Sequence, residues 1–255
     1  MIEIFRKKAG LLVREIYFAP GIVPCAVHRD IDVYVQCGSP IIGSKPFWTV
    51  SVDLSQDEDI LFLGLNSEYR RQVRRARAVD KDGLVVDVDF TPTAEGIESF
   101  GSFFNDFSAF KGIAPANIDK LKIFRNSGHL SVASVRRGNE NFPIAMHSFV
   151  SDGYRARSYI AGTVPRIGDN GPLLGRANKL LHWETMLAMK KADVKIYDFG
   201  GISRRPELKG IDDFKRQFGG IESEEYNAVY GVSWLGHLAL KTSKLLSCFT
   251  RGAGS

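Results

Sequence analysis

Between residues 197 and 220 the chain carries two glycine pairs and a cluster of cations. The first pair closes Tyr197-Asp198-Phe199-Gly200-Gly201-Ile202, an acid at a strand end followed by two glycines. The second closes Lys209-Gly210-Ile211-Asp212-Asp213-Phe214-Lys215-Arg216-Gln217-Phe218-Gly219-Gly220. Glycines let a backbone approach a ligand closely and leave amide donors accessible. Arg204, Arg205, Lys209, Lys215 and Arg216 lie between the pairs. This set suits an anionic or acyl ligand lying across strand ends. Two ordinary tight turns in a solvated basic loop would look the same, and composition does not separate these readings.

Other residues could carry chemistry singly. Asn66–Arg77 holds five arginines and one acid. At 100° per residue Arg70, Arg74 and Arg77 share one helix face, and Arg71 and Arg75 another. Guanidinium groups so dense could bind phosphates or simply form a solvated surface. Asp106 flanks a phenylalanine stripe and is a candidate carboxylate for proton handling, or a helix-surface acid. Glu184 falls inside the apolar stripe of Ala177, Leu181 and Ala188, where an acid should be paired or have a raised pKa. His147 and Tyr159 sit on strands of a presumed meander and are candidates for touching substrate, or satisfied core residues. His28, His129, His182 and His237 show no ligand spacing, so no metal is expected. Cys25, Cys37 and Cys248 form neither a disulfide framework nor a zinc pattern, and no base partner for a cysteine nucleophile is readable.

The elements that must position these residues are visible in the periodicity. LLVREIYF, DIDVYVQ and FWTVSVDL read as strands between turn residues. Ser55-Gln56-Asp57-Glu58 reads as a helix start with a capping serine, and helices run to the Lys81-Asp82-Gly83 turn. LVVDVDF (84–90) alternates as a strand. Thr91-Pro92-Thr93 opens a helix whose Ile97, Phe100, Phe103, Phe104, Phe107 and Phe110 form a core stripe. LSVASVRR, PIAMHSFVS and ARSYIAGTV follow as an antiparallel meander. A helix over 173–191 leads into VKIYDFGG, and a strand pair is expected around 222–233. Residues 234–249 are amphipathic, with Trp234, Leu235, Leu238, Leu245, Leu246 and Phe249 on one side and Lys241 and Lys244 beside them. That stretch would dock on the body or lie on an anionic membrane surface. The order of elements gives an α+β layered fold.

Composition bounds the rest. The 255 residues are 44% hydrophobic and 25% charged with a net charge of +5, ordinary values for a globular protein that permit anionic partners. No window approaches the ~18 apolar residues of a membrane span. The opening MIEIFRKKAGLLVREIYF lacks an apolar run with a cleavage site, so a reducing, cytoplasmic setting is expected.

The string YDFGGISRRPELKGIDDFKRQFGG resembles the C-terminal signature of the Fem-type aminoacyltransferases, GNAT-like enzymes of peptidoglycan cross-bridge synthesis with wider FemAB-like relatives. SEYRRQVRRA, FNDFSAFKGI and HWETMLAMKKADVKIYDFGG fit further segments of that family in order, so that the resemblance spans roughly 48–233. It implies a GNAT-like acyltransferase fold, with a trimmed N-terminal subdomain over 1–90, a complete subdomain over 91–233 and a basic tail over 234–255. It implies transfer of an aminoacyl or acyl group to an amine of a nucleotide- or lipid-linked glycan or peptide precursor, at the inner face of the membrane. Phe214 and Lys215 match the family's pair at the acyl-donor site near the tRNA acceptor end, and Asp198, Gly200 and Gly201 match its strand-end turn. In this reading Lys215 stabilises negative charge. Arg70, Arg74, Arg204 and Arg205 supply phosphate contacts, with His147 and Tyr159 toward substrate and Asp106 or Glu184 handling protons. No resident cofactor is expected; the donor is a co-substrate. In Pro165–Pro172 the Arg-x-x-Gly-x-Gly spacing of a coenzyme A loop fails at Asp169, which favours aminoacyl-tRNA over acyl-CoA or an acyl carrier. A thioester-dependent N-acyltransferase acting on an amino sugar, and a non-catalytic module binding RNA or a membrane partner, stay open as alternatives.

Overall fold

A computed structural model describes residues 1–241 apart from Asn139 and Ile167. Cys248 and the 242–249 half of the amphipathic stretch lie outside the described residues. In chain order the elements are β1 (Ile2–Lys8), β2 (Leu11–Tyr17), β3 (Ile31–Cys37), β4 (Lys45–Asp53), α1 (Glu58–Gly64), α2 (Ser67–Arg77), β5 (Leu84–Asp89), α3 (Ala94–Lys111), α4 (Ile118–Asn126), β6 (Leu130–Arg137), β7 (Ala145–Ser151), β8 (Arg155–Thr163), α5 (Gly171–Lys191), β9 (Ile196–Ile202), α6 (Lys209–Arg216), β10 (Ile221–Gly231) and α7 (Trp234–Lys241). Cys25 and Cys37 are free thiols. Among the described residues no helix is long and apolar enough to cross a membrane.

The chain forms two compact units that are not consecutive in sequence. The first comprises, among the described residues, Met1–Val50, Gly200–Lys209 and 222–241. Its strands run in the order β1-β2-β3-β10-β4. β1 and β2 form a hairpin closed by Ala9 and Gly10, both at positive φ as a two-residue turn between twisted strands requires. β2 and β3 are parallel, and β10 runs antiparallel to β3. Ile16, Ala19, Tyr34, Cys37 and Ala228 form a core, joined by Val23, Ile41, Tyr226 and Tyr230. The expected strand pair around 222–233 is instead one 11-residue strand. It is broken only by a bulge between Tyr226 and Ala228, where the Asn227 side chain accepts from the Gln36 N–H.

The second unit comprises Ser51–Phe199 and Gly210–Ile221. Its β6, β7 and β8 form the expected antiparallel meander, β5 pairs antiparallel with β6, and β9 lies parallel to β8. That last pairing joins Arg155–Arg157 to Ile196–Asp198 and ends there. α5 crosses one face of the meander and α3 with α4 cover the other. His147 meets α5, whereas its neighbour Met146 pairs with Gly162, which packs on Phe107 of α3. Ile97, Phe100 and Phe104 are buried as the stripe requires, Phe103 and Phe107 partly so, and Phe110 is exposed. α4 was not expected, since its nine residues show only a short apolar pattern. The helix start also differs. Asp57 precedes α1, and Ser55 instead donates its N–H to Asp53 in a turn that delays the helix.

Candidate active site

α5 supplies the back wall of the site. Pro172 sits in its first turn, where the missing N–H costs nothing. The helix is then buried on several sides, with Ala177, Leu181 and Trp183 almost inaccessible. Asn178 and His182, one turn apart, are the polar residues it turns toward the sheet. β9 brings up Tyr197 and Phe199 on one face, and α6 brings Phe214, followed by Phe218.

These residues enclose His182 in an aromatic box. Its ring centroid lies 5.0 Å from Phe199, 5.6 Å from Phe214, 5.4 Å from Phe218 and 4.6 Å from the His147 ring. Nδ1 of His182 is 2.7 Å from the Tyr197 hydroxyl. Burial drives the His182 pKa well below its ordinary value, helped by His147 and Lys215. Burial likewise drives Tyr197 well above its ordinary value, with Asp198 adding to it. The phenol and the imidazole are therefore both neutral, joined by that hydrogen bond. His147 stands beside the box with Nε2 3.1 Å from Asn178 Oδ1. Its other nitrogen, Nδ1, is buried without a hydrogen-bond partner. Burial depresses its pKa to about 4, partly offset by Asn178, so it too is neutral at physiological pH.

A charged cluster adjoins the box. Asp198 is fully buried and accepts from Arg155, at 3.0 Å from Nε. Arg157 and Asp212 are also buried. Lys215 is mostly buried, and its pKa is lowered to about 8 by desolvation first and by Arg157 second, against Asp198 and Asp212. Near pH 7 it is an ammonium that parts with a proton more readily than a solvated lysine. Lys179 lies 4.6 Å above the Tyr69 ring and 5.7 Å from that of Phe214, and burial lowers its pKa. Among the described residues no group of three or more His, Cys, Asp or Glu could hold a metal.

The structure brings Phe214, Lys215, Asp198 and His147 into one region of the second unit. It distributes the other candidates elsewhere. Glu184 is paired, as an acid on that stripe should be, with Arg77 at 2.5 Å. Arg70 donates to the carbonyls of Leu63 and Leu65, and Arg74 stacks over Phe62. Arg71 pairs with Glu68, and Arg75 lies 4.0 Å from Asp82. The arginines of α2 are thus engaged within the protein. Asp106 is exposed on α3. Tyr159 packs on Phe124 of α4, across the sheet from His147. In the first unit Arg204 lies 3.6 Å over Trp48 and pairs with Glu222, while Arg205 is exposed. Gly200 has positive φ there, and Gly201 faces the Phe47 ring.

The second glycine turn has a packing role. Gly219 adopts φ +78°, and a Cβ on it would stand 2.5 Å from the Gly64 carbonyl oxygen. The Asn66 N–H donates to Gln217 O beside it. Sequence reasoning missed His182 as a site residue, together with Tyr197, Arg157, Asp212 and Lys179. The available signal was Asn178 and His182, two polar residues one turn apart on a buried helix face.

No family model and no curated protein matches the sequence. Solved structures do match in shape. FemX aligns with a TM-score of 0.57 at 13% identity over 72% of this chain and 61% of its own. The C-terminal domain of a putative lysylphosphatidylglycerol synthetase from Agrobacterium fabrum aligns with a TM-score of 0.57 at 16% identity, over 85% of this chain and 72% of its own. L-PGS from Bacillus licheniformis aligns with a TM-score of 0.54 at 11% identity, over 95% of this chain and 85% of its own. The chain spans less than two thirds of the FemX structure's length. At these identities the likeness is one of fold: the protein shares the α+β fold of FemX and of the two synthetase structures, and FemX is of the kind that its sequence motifs resemble.

Proposed function

We propose that this chain is an acyltransferase that moves an aminoacyl group from aminoacyl-tRNA to an amine of a nucleotide- or lipid-linked cell-envelope precursor. Lys215 carries the reading. It is a mostly buried amine that feels Asp198, Asp212 and Arg157, and it directly follows Phe214 of the aromatic box. A cation so poorly solvated strengthens any charge it meets. The fold shared with FemX and the Agrobacterium fabrum domain, a putative lysylphosphatidylglycerol synthetase, supports an aminoacyl donor over a plain binding role.

The acceptor amine, in its neutral form, attacks the ester carbonyl of the donor. A C–N bond forms and the carbonyl oxygen takes up negative charge, which the Lys215 ammonium stabilises. The C–O ester bond then breaks, the carrier leaves as its hydroxyl, and the proton lost from nitrogen ends on that oxygen. Phe214 and Tyr69 present ring faces beside the donor end, and Lys179 meets a donor phosphate. His147 and His182 stay neutral in the packed layer beside Phe214.

A second reading keeps the acyl transfer and replaces the donor by a thioester. The Arg166 guanidinium lies over Gly171, where α5 begins, so a cation sits at a helix N-terminus of the kind that holds pyrophosphate. Labelled aminoacyl-tRNA offered with a panel of amine acceptors tests both. Label should reach an acceptor, and ribonuclease should abolish the transfer. Ribonuclease-resistant transfer from acyl-CoA would install the thioester donor, and RNA retention without transfer to any amine would overturn both readings.

A further inference from the structure

The sequence left the segment after β10 with two options, docking on the body or lying on a lipid surface. The structure shows how α7 is held within its unit. Asp30 anchors its start: the Asp30 carbonyl accepts from Val232 N at 2.7 Å, and its carboxylate accepts from Ser233 Oγ at 2.5 Å and from Leu12 N at 2.8 Å. Ser233 Oγ in turn accepts from Gly236 N at 3.1 Å, capping the helix. Gly236 is the contact residue. A Cβ there would lie 1.9 Å from the Asp30 carbonyl oxygen, so only glycine lets the helix backbone sit this close.

This attachment fixes which side of α7 faces out. At 100° per residue Gly236 points about 200° away from Trp234. Trp234, Leu238 and Lys241 therefore line the opposite side, with Leu235 beside them. Trp234 is 73% exposed, Leu238 55% and Leu235 42%. Val232, just before the helix, adds a fourth exposed apolar side chain. An indole and two leucines on successive turns, held outward by a glycine, is not how a helix packs on its own body.

The charge pattern selects the partner. The last acid in the sequence is Glu225, and residues 226–255 contain Lys241, Lys244 and Arg251 without an acid. An apolar row ending in cations, with a tryptophan on it, matches the boundary between lipid headgroups and acyl chains. We propose that α7 seats the protein on an anionic bilayer through Trp234, Leu235 and Leu238, with Lys241 at the headgroups. The inference is independent of the acyl-transfer reading, because it uses none of those residues.

The full chain should be sedimented with vesicles of phosphatidylcholine alone and with vesicles containing phosphatidylglycerol. It should partition onto the anionic vesicles at least about tenfold more strongly than onto the neutral ones. The wild-type minus Trp234→Phe emission difference should shift to the blue on binding, while Trp234→Phe itself still binds. Trp234→Glu/Leu238→Glu should lose the binding at an unchanged melting temperature, since both positions are exposed. Equal partitioning onto both vesicle types, or none, would overturn the proposal. So would a Trp234 emission already blue in buffer, which would mean that the chain's own residues or a second copy cover this face.

Discussion

The Tyr197 hydroxyl and Nδ1 of His182 are hydrogen-bonded across 2.7 Å, and both residues are buried. The bond is local between β9 and α5. Tyr197→Phe removes one partner and leaves the buried His182 nitrogen unsatisfied. It should lower stability by about 1–3 kcal/mol, read as a shift of the urea midpoint. His182→Phe, which removes the other partner as well in an already aromatic box, should restore part of that loss in the double variant. Additive losses would show that the two side chains are not coupled.

Lys215→Ala should reduce acyl transfer by about 10²-fold while its melting temperature stays at or above that of the wild type. Truncating a buried cation relieves its desolvation, and Asp198 retains Arg155. Unchanged turnover would remove the assigned role.

The same lysine makes a pH prediction with a definite sign. Its folded pKa of about 8 lies below the unfolded value of 10.5, so between these values the unfolded chain binds more protons. Stability attributable to Lys215 therefore rises with pH across that window and is flat below it. The difference in unfolding free energy between wild type and Lys215→Met should move in the wild type's favour from pH 8 to pH 10.5. Subtracting the variant cancels the tyrosine titrations in the same range. Transfer that depends on the ammonium should instead fall with a midpoint near the folded pKa of about 8.

Glu184→Gln should be mild. Its partner Arg77 is 55% exposed, so the pair contributes no more than about 1 kcal/mol. Transfer should stay within about twofold of wild type. A large loss of activity with intact stability would return Glu184 to the catalytic candidates.

Gly219→Ala should be severe. The position combines φ +78° with a Cβ 2.5 Å from a backbone oxygen, and neither can be relieved by turning a side chain. A loss of about 2 kcal/mol or more is expected in thermal unfolding, set against Gly43→Ala, where the φ is also positive but nothing stands within 4 Å of a Cβ.

Elements with a strong local period were legible in the sequence: β2 to β4, the phenylalanine helix, the meander and α5. The motif with Phe214 and Lys215 led to the right fold, and the structure sets Phe214 beside the His182 ring. What stayed hidden depends on partners distant in sequence. The arginine run on α2 looked like a phosphate surface because Glu184, Asp82 and the Leu63 and Leu65 carbonyls are not visible from within it. His147 and Tyr159 looked equivalent on neighbouring strands, but the register shift between Ser148 and Phe149 helps turn Tyr159 to the other helix layer. His182 looked like an unremarkable histidine because only the fold surrounds it with Phe199, Phe214 and Phe218.

The single strand β10 also sets an order of events during synthesis. Its Asn227 side chain bonds to Gln36 across a separation of 191 residues. β3 leaves the ribosome long before that strand exists, so its edge must wait, unpaired on that side, while the whole second unit is translated. Nascent chains halted before residue 221 should therefore hold an exposed strand border that chaperones can grip, and release should follow only when the returning segment slots in.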